Sequence, residues 1–336
     1  MKIGIIGAGR MGRRHVQAAA QAGLTVAGIS DISEASLAEA VREGVPGDVC
    51  FTDTLAMLRQ TRPEVVIVST TAPSHAELVA MAVDHGARFV LCEKPAAVSI
   101  AQTRDMIEYC ASRSVRLGVN HQMRYMEQYI QCKKLAESEE LGGLKSITAV
   151  SGNMGMAMNA THYVELFRFL TGSAPAQVQA WFDDIEVPNP RGPEFTDKSG
   201  QIRAVNAEGR RLYMDLGGDQ GHGLTLLLAC RYGQIALDEL DGILTVSHRK
   251  AEHRDMPTTR YGMPWERYDR QLPEPDIIGP TSDLLRALIG GEGWPDGDCA
   301  LMTVRTLVAA HVSSENNSES VSVQGALPED RIFPWA

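Results

Sequence analysis

Three glycines near the amino terminus have the spacing of a phosphate-binding turn. Gly7, Gly9 and Gly12 form a G-x-G-x-x-G pattern directly after Ile3–Ile6, a short apolar run typical of a buried strand. In such a unit the first glycine makes a tight turn, the second lets the backbone approach a pyrophosphate, and the third lets a helix pack on the strand. The pyrophosphate would lie at the amino end of that helix, where free N–H groups and the helix dipole favour an anion.

Asp31 has the position of an acid that binds an adenosine ribose. It ends a second apolar run, residues 24–29, and lies 19 residues after Gly12, close to the offset of roughly 20 residues in dinucleotide-binding units. The sequence Asp31-Ile-Ser-Glu34 also matches a capping box before a helix over residues 35–42. Both roles are compatible, and the spacing favours the ribose role.

The residues after Asp31 bear on the choice of dinucleotide. Ile32 and Ser33 provide no arginine to bind a 2′-phosphate. We therefore expect NAD as the cofactor, in preference to NADP.

Composition restricts the class of protein. The chain has 336 residues, is 44% hydrophobic and 22% charged, and carries a formal net charge of −10, which indicates a soluble globular protein with room for two domains. The negative charge argues against a nucleic-acid partner. No apolar run approaches the roughly 18 residues of a membrane span, and the first strand begins at Lys2 without room for a signal peptide. We expect no membrane partner and a cytoplasmic location.

The six cysteines are scattered, without C-x-x-C spacing. This distribution indicates neither a zinc site nor a disulfide framework. The sequence therefore predicts no metal and reduced thiols that lie mostly in the core.

Strands and helices alternate through the first third of the chain. This pattern predicts a Rossmann-type, doubly wound parallel α/β sheet over residues 1–119. Such sheets bind ligands beyond the carboxyl ends of their strands, and Gly7, Asp31, Thr70 and Lys94 all fall at that edge.

The pattern changes over residues 120–336, which we predict to be an α+β substrate and oligomerisation domain with a large, mostly antiparallel, open sheet. The predicted strands are Lys145–Val150, Ala176–Phe182, Leu212–Asp215, Leu224–Arg231, Ile235–Leu240 and Ile243–Arg249. The glycine-rich segment Gly217–Gly223 lies between two of them and has no helix after it, so we predict a hairpin connection there.

These residues together resemble one oxidoreductase family over nearly the whole chain. The resemblance rests on the following residues: Gly7, Gly9, Gly12, Asp31, Pro73, His75, Glu93-Lys94-Pro95, Asn120, Arg124 and His162. The family is that of glucose–fructose oxidoreductase, inositol dehydrogenase and the rhizopine catabolism protein, Gfo/Idh/MocA. Its members are mainly NAD(P)-dependent dehydrogenases of sugars, cyclitols and related polyols. The resemblance also implies a homo-oligomer, a dimer or tetramer, that associates through the open sheet.

The resemblance implies that Lys94 is catalytic. An ammonium group beside a carbinol oxygen stabilises the charge that develops there as hydride leaves the carbon. Alternatively, Lys94 is a solvated charge that pairs with Glu93. Because Pro95 fixes the turn and the strand ends in the cofactor cleft, the catalytic role is favoured.

The resemblance also implies that His162 is the general base. Imidazole titrates near neutrality, which suits transfer of the hydroxyl proton. Family members often have an aspartate four residues earlier, where this chain has Met158, and another three residues later, where it has Glu165. Asn159 or Glu165 would then orient His162, unless His162 only packs at a helix start.

The remaining implied positions divide between cofactor and substrate. The implied cofactor contacts are Gly7, Gly9, Arg10, Met11, Gly12, Asp31, Ser69, Thr70, Thr71, Pro73, His75, Glu93, Lys94 and Pro95. The implied substrate contacts are Asn120, Arg124, Tyr125, Asn159 and His162. Alternatively, His75 only packs inside the protein. The alternative for Arg124 is an ion pair with Glu127 or Glu93 in place of a substrate contact.

A basic stretch over residues 247–271 stands out in this acidic protein. It contains Arg249, Lys250, Arg254, Arg260, Arg267 and Arg270. A solvated or subunit-contact loop is the default interpretation. Alternatively, some of these arginines bind a carboxylate or phosphate on an anionic substrate.

The sequence therefore predicts an NAD-dependent dehydrogenase that acts on a hydroxyl of a sugar, cyclitol or sugar derivative, or reduces the corresponding ketone. Two alternatives stay open. One is an NAD-requiring glycoside hydrolase that oxidises its sugar transiently, and the other is a non-catalytic sensor of NAD or sugar.

Overall fold

The chain forms fifteen strands and nine helices within the part that the structure, a computed structural model, describes: residues 1–152, 154–186, 189–257 and 264–336. The strands are β1 (Lys2–Ile6), β2 (Thr25–Ser30), β3 (Cys50–Phe51), β4 (Val65–Val68), β5 (Phe89–Cys92), β6 (Arg116–Val119), β7 (Leu144–Gly152), β8 (Pro175–Glu186), β9 (Lys198–Asn206), β10 (Arg211–Gly217), β11 (Thr225–Cys230), β12 (Gly233–Asp238), β13 (Ile243–Arg249), β14 (Trp265–Gln271) and β15 (Val321–Ser322). The helices are α1 (Arg10–Gln21), α2 (Glu34–Arg42), α3 (Thr54–Thr61), α4 (His75–Asp84), α5 (Ile100–Ser112), α6 (Glu127–Glu137), α7 (Thr161–Thr171), α8 (Gly279–Gly290) and α9 (Gly297–Glu315).

These elements group into two units that are discontinuous in sequence. The first unit comprises residues 1–125, 276–304 and 328–336, and the second comprises 126–275 and 305–327. A division after residue 119 therefore differs from the structure, because α8 and the chain end return to the first unit. The reason is hydrophobic: Leu284, Leu285 and Leu288 of α8 are buried in the same core as Ile3 and Ile5 of β1.

The first unit contains a six-stranded sheet in the order β3-β2-β1-β4-β5-β6. Every neighbouring pair is parallel, and every residue of β4 and β5 is buried, as expected for strands covered on both faces. The predicted doubly wound sheet is confirmed. Its strand order reverses between β1 and β4, which places a ligand crevice beyond the carboxyl ends of these strands.

The second unit contains a nine-stranded sheet in the order β14-β13-β12-β11-β7-β10-β9-β8-β15. Its pairs are antiparallel except for β7 with β10, so the predicted, mostly antiparallel sheet is confirmed. The hairpin predicted at Gly217–Gly223 is wrong. This segment joins β10 to β11, which lie on opposite sides of β7, and it passes so close to Gly152 that a β-carbon there would lie 1.9 Å from the Gln220 carbonyl oxygen.

Several elements differ in extent from the sequence prediction. Strands β9 and β14 were not predicted, and β8 is longer than the run Ala176–Phe182. In the described residues no helix is both long and apolar enough to cross a membrane. All six cysteines are free thiols, four of them buried.

Candidate active site

The three glycines of the first turn differ in what surrounds them. Gly7 has a φ of +100°, and a β-carbon there would lie 2.8 Å from the Ser69 carbonyl group. At Gly12 a β-carbon would lie 1.8 Å from the Gly7 carbonyl oxygen. At Gly9 it would meet no atom within 4 Å. Two glycines are therefore required by the fold itself, whereas Gly9 leaves open space that a ligand can approach.

Helix α1 begins next to this space. Gly9 is its N-cap residue and, among the described residues, no side chain caps it or places an acid in its first turn. The first intrahelical bond runs from the Arg13 N–H to the Gly9 carbonyl, at 3.1 Å. Arg10 and Met11 occupy the first two helical positions. A helix start with uncapped N–H groups and no acid fits a diphosphate.

Asp31 lies beside the glycine turn. Its carboxylate accepts the Ala8 N–H at 2.7 Å and the Ser33 N–H at 2.8 Å. The N-cap of α2 is Ser33, whose hydroxyl accepts the Ser36 N–H at 3.2 Å. Capping of α2 by Asp31 is therefore wrong, because the helix starts two residues later. The ribose role is compatible with this position.

Ile32 is 94% exposed although it is a large apolar residue. It follows Asp31 at the open edge of the sheet. An apolar side chain in water at this place provides a surface for a flat, apolar ring and no charge for a phosphate.

The residues after β4 bond to the glycine turn and to one another. The Ser69 hydroxyl donates to the carbonyls of Ile6 and Gly7, both at 3.0 Å. The hydroxyl groups of Thr70 and Ser74 lie 2.8 Å apart. Thr71 precedes a 3₁₀ turn over Ala72–Ser74 that contains Pro73. The ends of β1 and β4 are thus fixed against each other at the crevice.

His75 is 1% exposed and contacts two backbone carbonyls. Its Nδ1 lies 3.0 Å from the Pro95 oxygen and its Nε2 lies 3.2 Å from the Thr70 oxygen. Burial lowers the pKa of His75, although both carbonyls and the charge of Glu93 act in the opposite direction. The neutral ring donates to one of the two carbonyls and packs between the ends of β4 and β5. These contacts are compatible with a packing role for His75, and its predicted cofactor contact remains a prediction.

Glu93, Lys94 and Pro95 follow β5, and the Lys94–Pro95 peptide bond is cis. Glu93 is 3% exposed. Its Oε1 lies 2.8 Å from the Nε2 of His15 on α1 and accepts the Asn120 amide at 2.8 Å. Lys94 is half-buried. The carboxylate therefore bonds within the protein, and the cofactor contact predicted for Glu93 remains a prediction.

The pKa of Glu93 reflects these contacts. Burial alone would raise it, but the hydrogen bond with His15 and the charge interaction with the same side chain hold the pKa of Glu93 well below its usual range. The charge of Lys94 and the Asn120 amide act in the same direction. Glu93 is consequently ionised at neutral pH.

Arg124 and Tyr125 both donate to the Gly293 carbonyl, at 3.2 Å and 3.0 Å. Gly293 follows α8. These two hydrogen bonds connect the segment after β6 to the segment after α8, and both segments belong to the first unit.

His162 and Asn159 lie in the second unit. Asn159 belongs to a single π-helical turn, Met156–Ala160, that leads directly into α7, and His162 is the half-buried second residue of α7. Glu165, three positions later on the same helix, is fully buried. Residues three apart are neighbours on a helix surface, so Glu165 and His162 share one face of α7, and the role of Glu165 in orienting His162 remains a prediction.

Asp197 binds the turn before His162. Its two carboxylate oxygens accept the N–H groups of Ala157 and Met158, each at 2.8 Å. Asp197 is 4% exposed, and a β-carbon at Gly155 would lie 2.1 Å from its Oδ2. Only glycine at 155 lets the carboxylate approach this closely.

Three residues of the basic stretch, Arg249, Lys250 and Arg254, have polar partners within the protein. Arg249 is buried and donates to the carbonyls of Arg254 and Met256, at 3.1 Å and 2.8 Å. Lys250 lies 3.9 Å from Glu266. The remaining members are distributed as follows: Arg254 pairs with Glu139 at 3.7 Å, Arg267 and Arg270 lie on β14, and Arg260 lies outside the described residues. The loop interpretation is therefore wrong for Trp265–Gln271, which is an edge strand.

The first unit matches a known family. Residues 1–121 match the family model GFO_IDH_MocA, described as an oxidoreductase family with an NAD-binding Rossmann fold. This part of the chain is therefore similar to the Gfo/Idh/MocA family over residues 1–121. The match covers the glycine turn, Asp31 and the Glu93-Lys94-Pro95 segment.

Individual relatives match part of this chain at less than 30% identity. Oxidoreductase cns1 of Cordyceps militaris is 28% identical over 229 residues, which cover 61% of this chain and 28% of that protein. Inositol 2-dehydrogenase of Klebsiella pneumoniae is 27% identical over 222 residues, which cover 60% of this chain and 65% of the enzyme. These relatives are matched over less than two thirds of their own length.

The fold is shared along almost the whole chain. An oxidoreductase from Agrobacterium radiobacter, solved in complex with NAD⁺, L-tartaric acid and magnesium, superposes with a TM-score of 0.78 at 18% identity. The superposition covers 96% of this chain and 98% of that chain.

Sequence reasoning missed two residues of the candidate site, His15 and Asp197. His15 lies three residues after Gly12, so its position on the inner face of α1 could have been predicted from the sequence. Its contact with Glu93 could not, because the two residues are 78 positions apart. Asp197 lies 40 residues beyond Ala157. The only local signal for Asp197 was the glycine at 155.

Proposed function

We propose that the protein is an NAD-dependent dehydrogenase that oxidises a secondary hydroxyl of a sugar, cyclitol or sugar derivative, or reduces the corresponding ketone. The observation that carries the proposal is the crevice edge of the first unit. This edge contains the uncapped start of α1, the open space at Gly9 and the acid Asp31. Lys94 follows β5 of the same sheet. Inositol 2-dehydrogenases among the relatives support this substrate class.

The residues that would hold NAD divide by the part of the cofactor. The N–H groups of Arg10 and Met11 would bind the diphosphate, Asp31 would bind the adenosine ribose, and Ile32 would cover the adenine. No positive side chain directly follows Asp31, which supports NAD in preference to NADP. The bound dinucleotide supplies a two-electron hydride acceptor.

Two side chains would carry the chemistry on the substrate. Lys94 would place its ammonium group beside the reacting oxygen and stabilise its developing negative charge. His162 would take the hydroxyl proton at a ring nitrogen as the carbon releases its hydrogen with both bonding electrons. The products of the oxidation would be one ketone, one reduced cofactor and one proton held on His162.

Three further assignments belong to the same proposal. Association of the subunits through the open sheet is supported by a face on which Leu227, Thr148 and Tyr213 lie in register and half-buried. An acidic chain supports a small-molecule partner without nucleic acid. A cytoplasmic location agrees with six free thiols.

The experiment is a survey of substrates with purified protein. We expect NADH absorbance to grow with NAD and at least one polyol, cyclitol or sugar acid. Binding of NAD without NADH formation from any of them would contradict the dehydrogenase assignment, and sugar release without net NADH would favour a hydrolase.

A further inference from the structure

Both carboxylate oxygens of Glu93 are bonded inside the first unit. Oε1 contacts His15 and Asn120, each at 2.8 Å, and Oε2 accepts the Lys94 backbone N–H at 3.3 Å. A carboxylate that is only 3% exposed is costly unless such donors replace water. These bonds therefore hold Glu93 in one place, directly before Lys94.

The charged and titratable groups that face Glu93 come from three elements. His15 comes from α1, His75 from α4, and Cys92 and Lys94 from its own segment. Burial lowers the pKa of His75 and raises that of Cys92 well above its ordinary value, so neither group carries charge at neutral pH. Lys94 and His15 are then the basic groups whose charge interactions lower the pKa of the carboxylate.

These contacts connect the proposed cofactor helix to the proposed catalytic lysine. His15 lies on the inner face of α1, whose first turn is the proposed diphosphate site. Asn120 follows β6, the strand next to β5. Glu93 thus joins α1, β5 and β6 at the crevice edge.

We propose that Glu93, held by His15 and Asn120, is a positioning residue that keeps the ammonium group of Lys94 charged and in place. This inference rests on the proposed function, because it gives Glu93 a role through Lys94 rather than contact with cofactor or substrate. The buried anion favours the cationic form of its neighbour, and its bonds fix the turn that carries that neighbour.

The first test measures Lys94 directly and needs no activity. An amine-reactive reagent labels the full-length protein over a pH series, and peptide mass spectrometry quantifies the modification at Lys94. In Glu93→Gln, which keeps the shape and removes the charge, we expect the labelling midpoint to move down by about one pH unit. Identical labelling curves in wild type and variant would overturn the proposal. Glu64→Gln is the matched control, because Glu64 is a carboxylate of the same unit whose side chain is 42% exposed and lies 3.7 Å from Arg88.

The second test uses Glu93→Asp, which keeps the anion and shortens its reach. We expect Lys94 to be labelled as in wild type, NAD affinity to stay within about threefold, and kcat to fall about tenfold to hundredfold, as when a supporting residue loses its contacts. This variant also serves if Glu93→Gln does not fold. Unchanged kcat in Glu93→Asp would refute a positioning role.

The two proposals fail in different ways. If wild-type protein forms no NADH with any substrate, the proposed function fails while the labelling comparison still reports on Glu93. If NADH forms but neither variant changes labelling or kcat, only the role of Glu93 fails.

Discussion

Asp31 accepts a hydrogen bond of 2.7 Å from the backbone N–H of Ala8, inside the glycine turn. The acid at the end of β2 therefore does two things at once. It fixes the glycine turn, and it lies at the crevice edge, where we propose that the adenosine ribose binds.

We expect Asp31→Ala to weaken NAD binding about tenfold to hundredfold, because a hydrogen bond to a charged group contributes about 1.5–3 kcal/mol. Isothermal calorimetry with NAD and NADP measures this loss. Asp48→Asn, an exposed acid of the same unit, should bind NAD as wild type does. Equal affinity of Asp31→Ala and wild type would remove Asp31 from the cofactor site.

Lys94→Ala should separate binding from turnover. We expect kcat to fall about 10²–10³-fold, the usual cost of losing one donor to a developing oxyanion, with little change in NAD affinity. Steady-state kinetics and calorimetry on the same preparation measure both quantities. Lys134→Ala, an exposed lysine on α6, should be as active as wild type. Near-normal turnover of Lys94→Ala would show that Lys94 only pairs with neighbouring charges.

Gly155 and Asp197 should be energetically coupled. A β-carbon at 155 would lie 2.1 Å from the Asp197 carboxylate, so Gly155→Ala should lower the free energy of unfolding by about 1–3 kcal/mol. Chemical denaturation of Gly155→Ala, Asp197→Ala and the double variant measures the coupling. In the Asp197→Ala background, Gly155→Ala should lower the free energy of unfolding by much less. If the effects of the two substitutions on this free energy are strictly additive, the β-carbon at 155 does not clash with the Asp197 carboxylate.

A control exists for this substitution. A β-carbon at Gly221 would meet no atom within 4 Å, and the backbone of Gly221 is outside the left-handed region. Gly221→Ala should change the free energy of unfolding by less than about 0.5 kcal/mol.

The first sheet and its edge followed from the sequence because their signals are local. The glycine spacing, Asp31 and the alternating strands are each contained in a few tens of residues, and β-branched runs such as Val65–Val68 identify buried strands directly. One local interpretation still differed in detail. Ser33, not Asp31, caps α2, since both residues match a capping signal and the chain uses the later one.

What the sequence did not provide depends on contacts between distant residues. The partner of Glu93 is His15, 78 residues away, and Asp197 reaches back 40 residues to Ala157. The order of strands around β7 is also non-local, which is why Gly217–Gly223 was mistaken for a hairpin. Strand β14 was missed because its exposed, charged residues resemble a loop in composition.

Glu239 predicts a dependence of stability on pH in the second unit. Burial raises its pKa to about 8, and the Tyr129 hydroxyl donates to its carboxyl group. In the unfolded chain the same group titrates near its ordinary value of 4.5. Between these two values the unfolded chain has released a proton that the folded chain still holds. The contribution of Glu239 is therefore fully present below about pH 4.5 and is lost as the pH rises to about 8.

Glu239→Gln should remove this dependence, because the amide does not titrate. Denaturant unfolding at several pH values between the two limits should show a wild-type free energy that falls relative to that of the variant as the pH rises. Glu252→Gln, an exposed carboxyl in the same unit, should follow wild type. Parallel curves for wild type and Glu239→Gln would mean that Glu239 titrates at the same pH in the folded and unfolded chain, which would require water to reach its carboxyl group beside Tyr129.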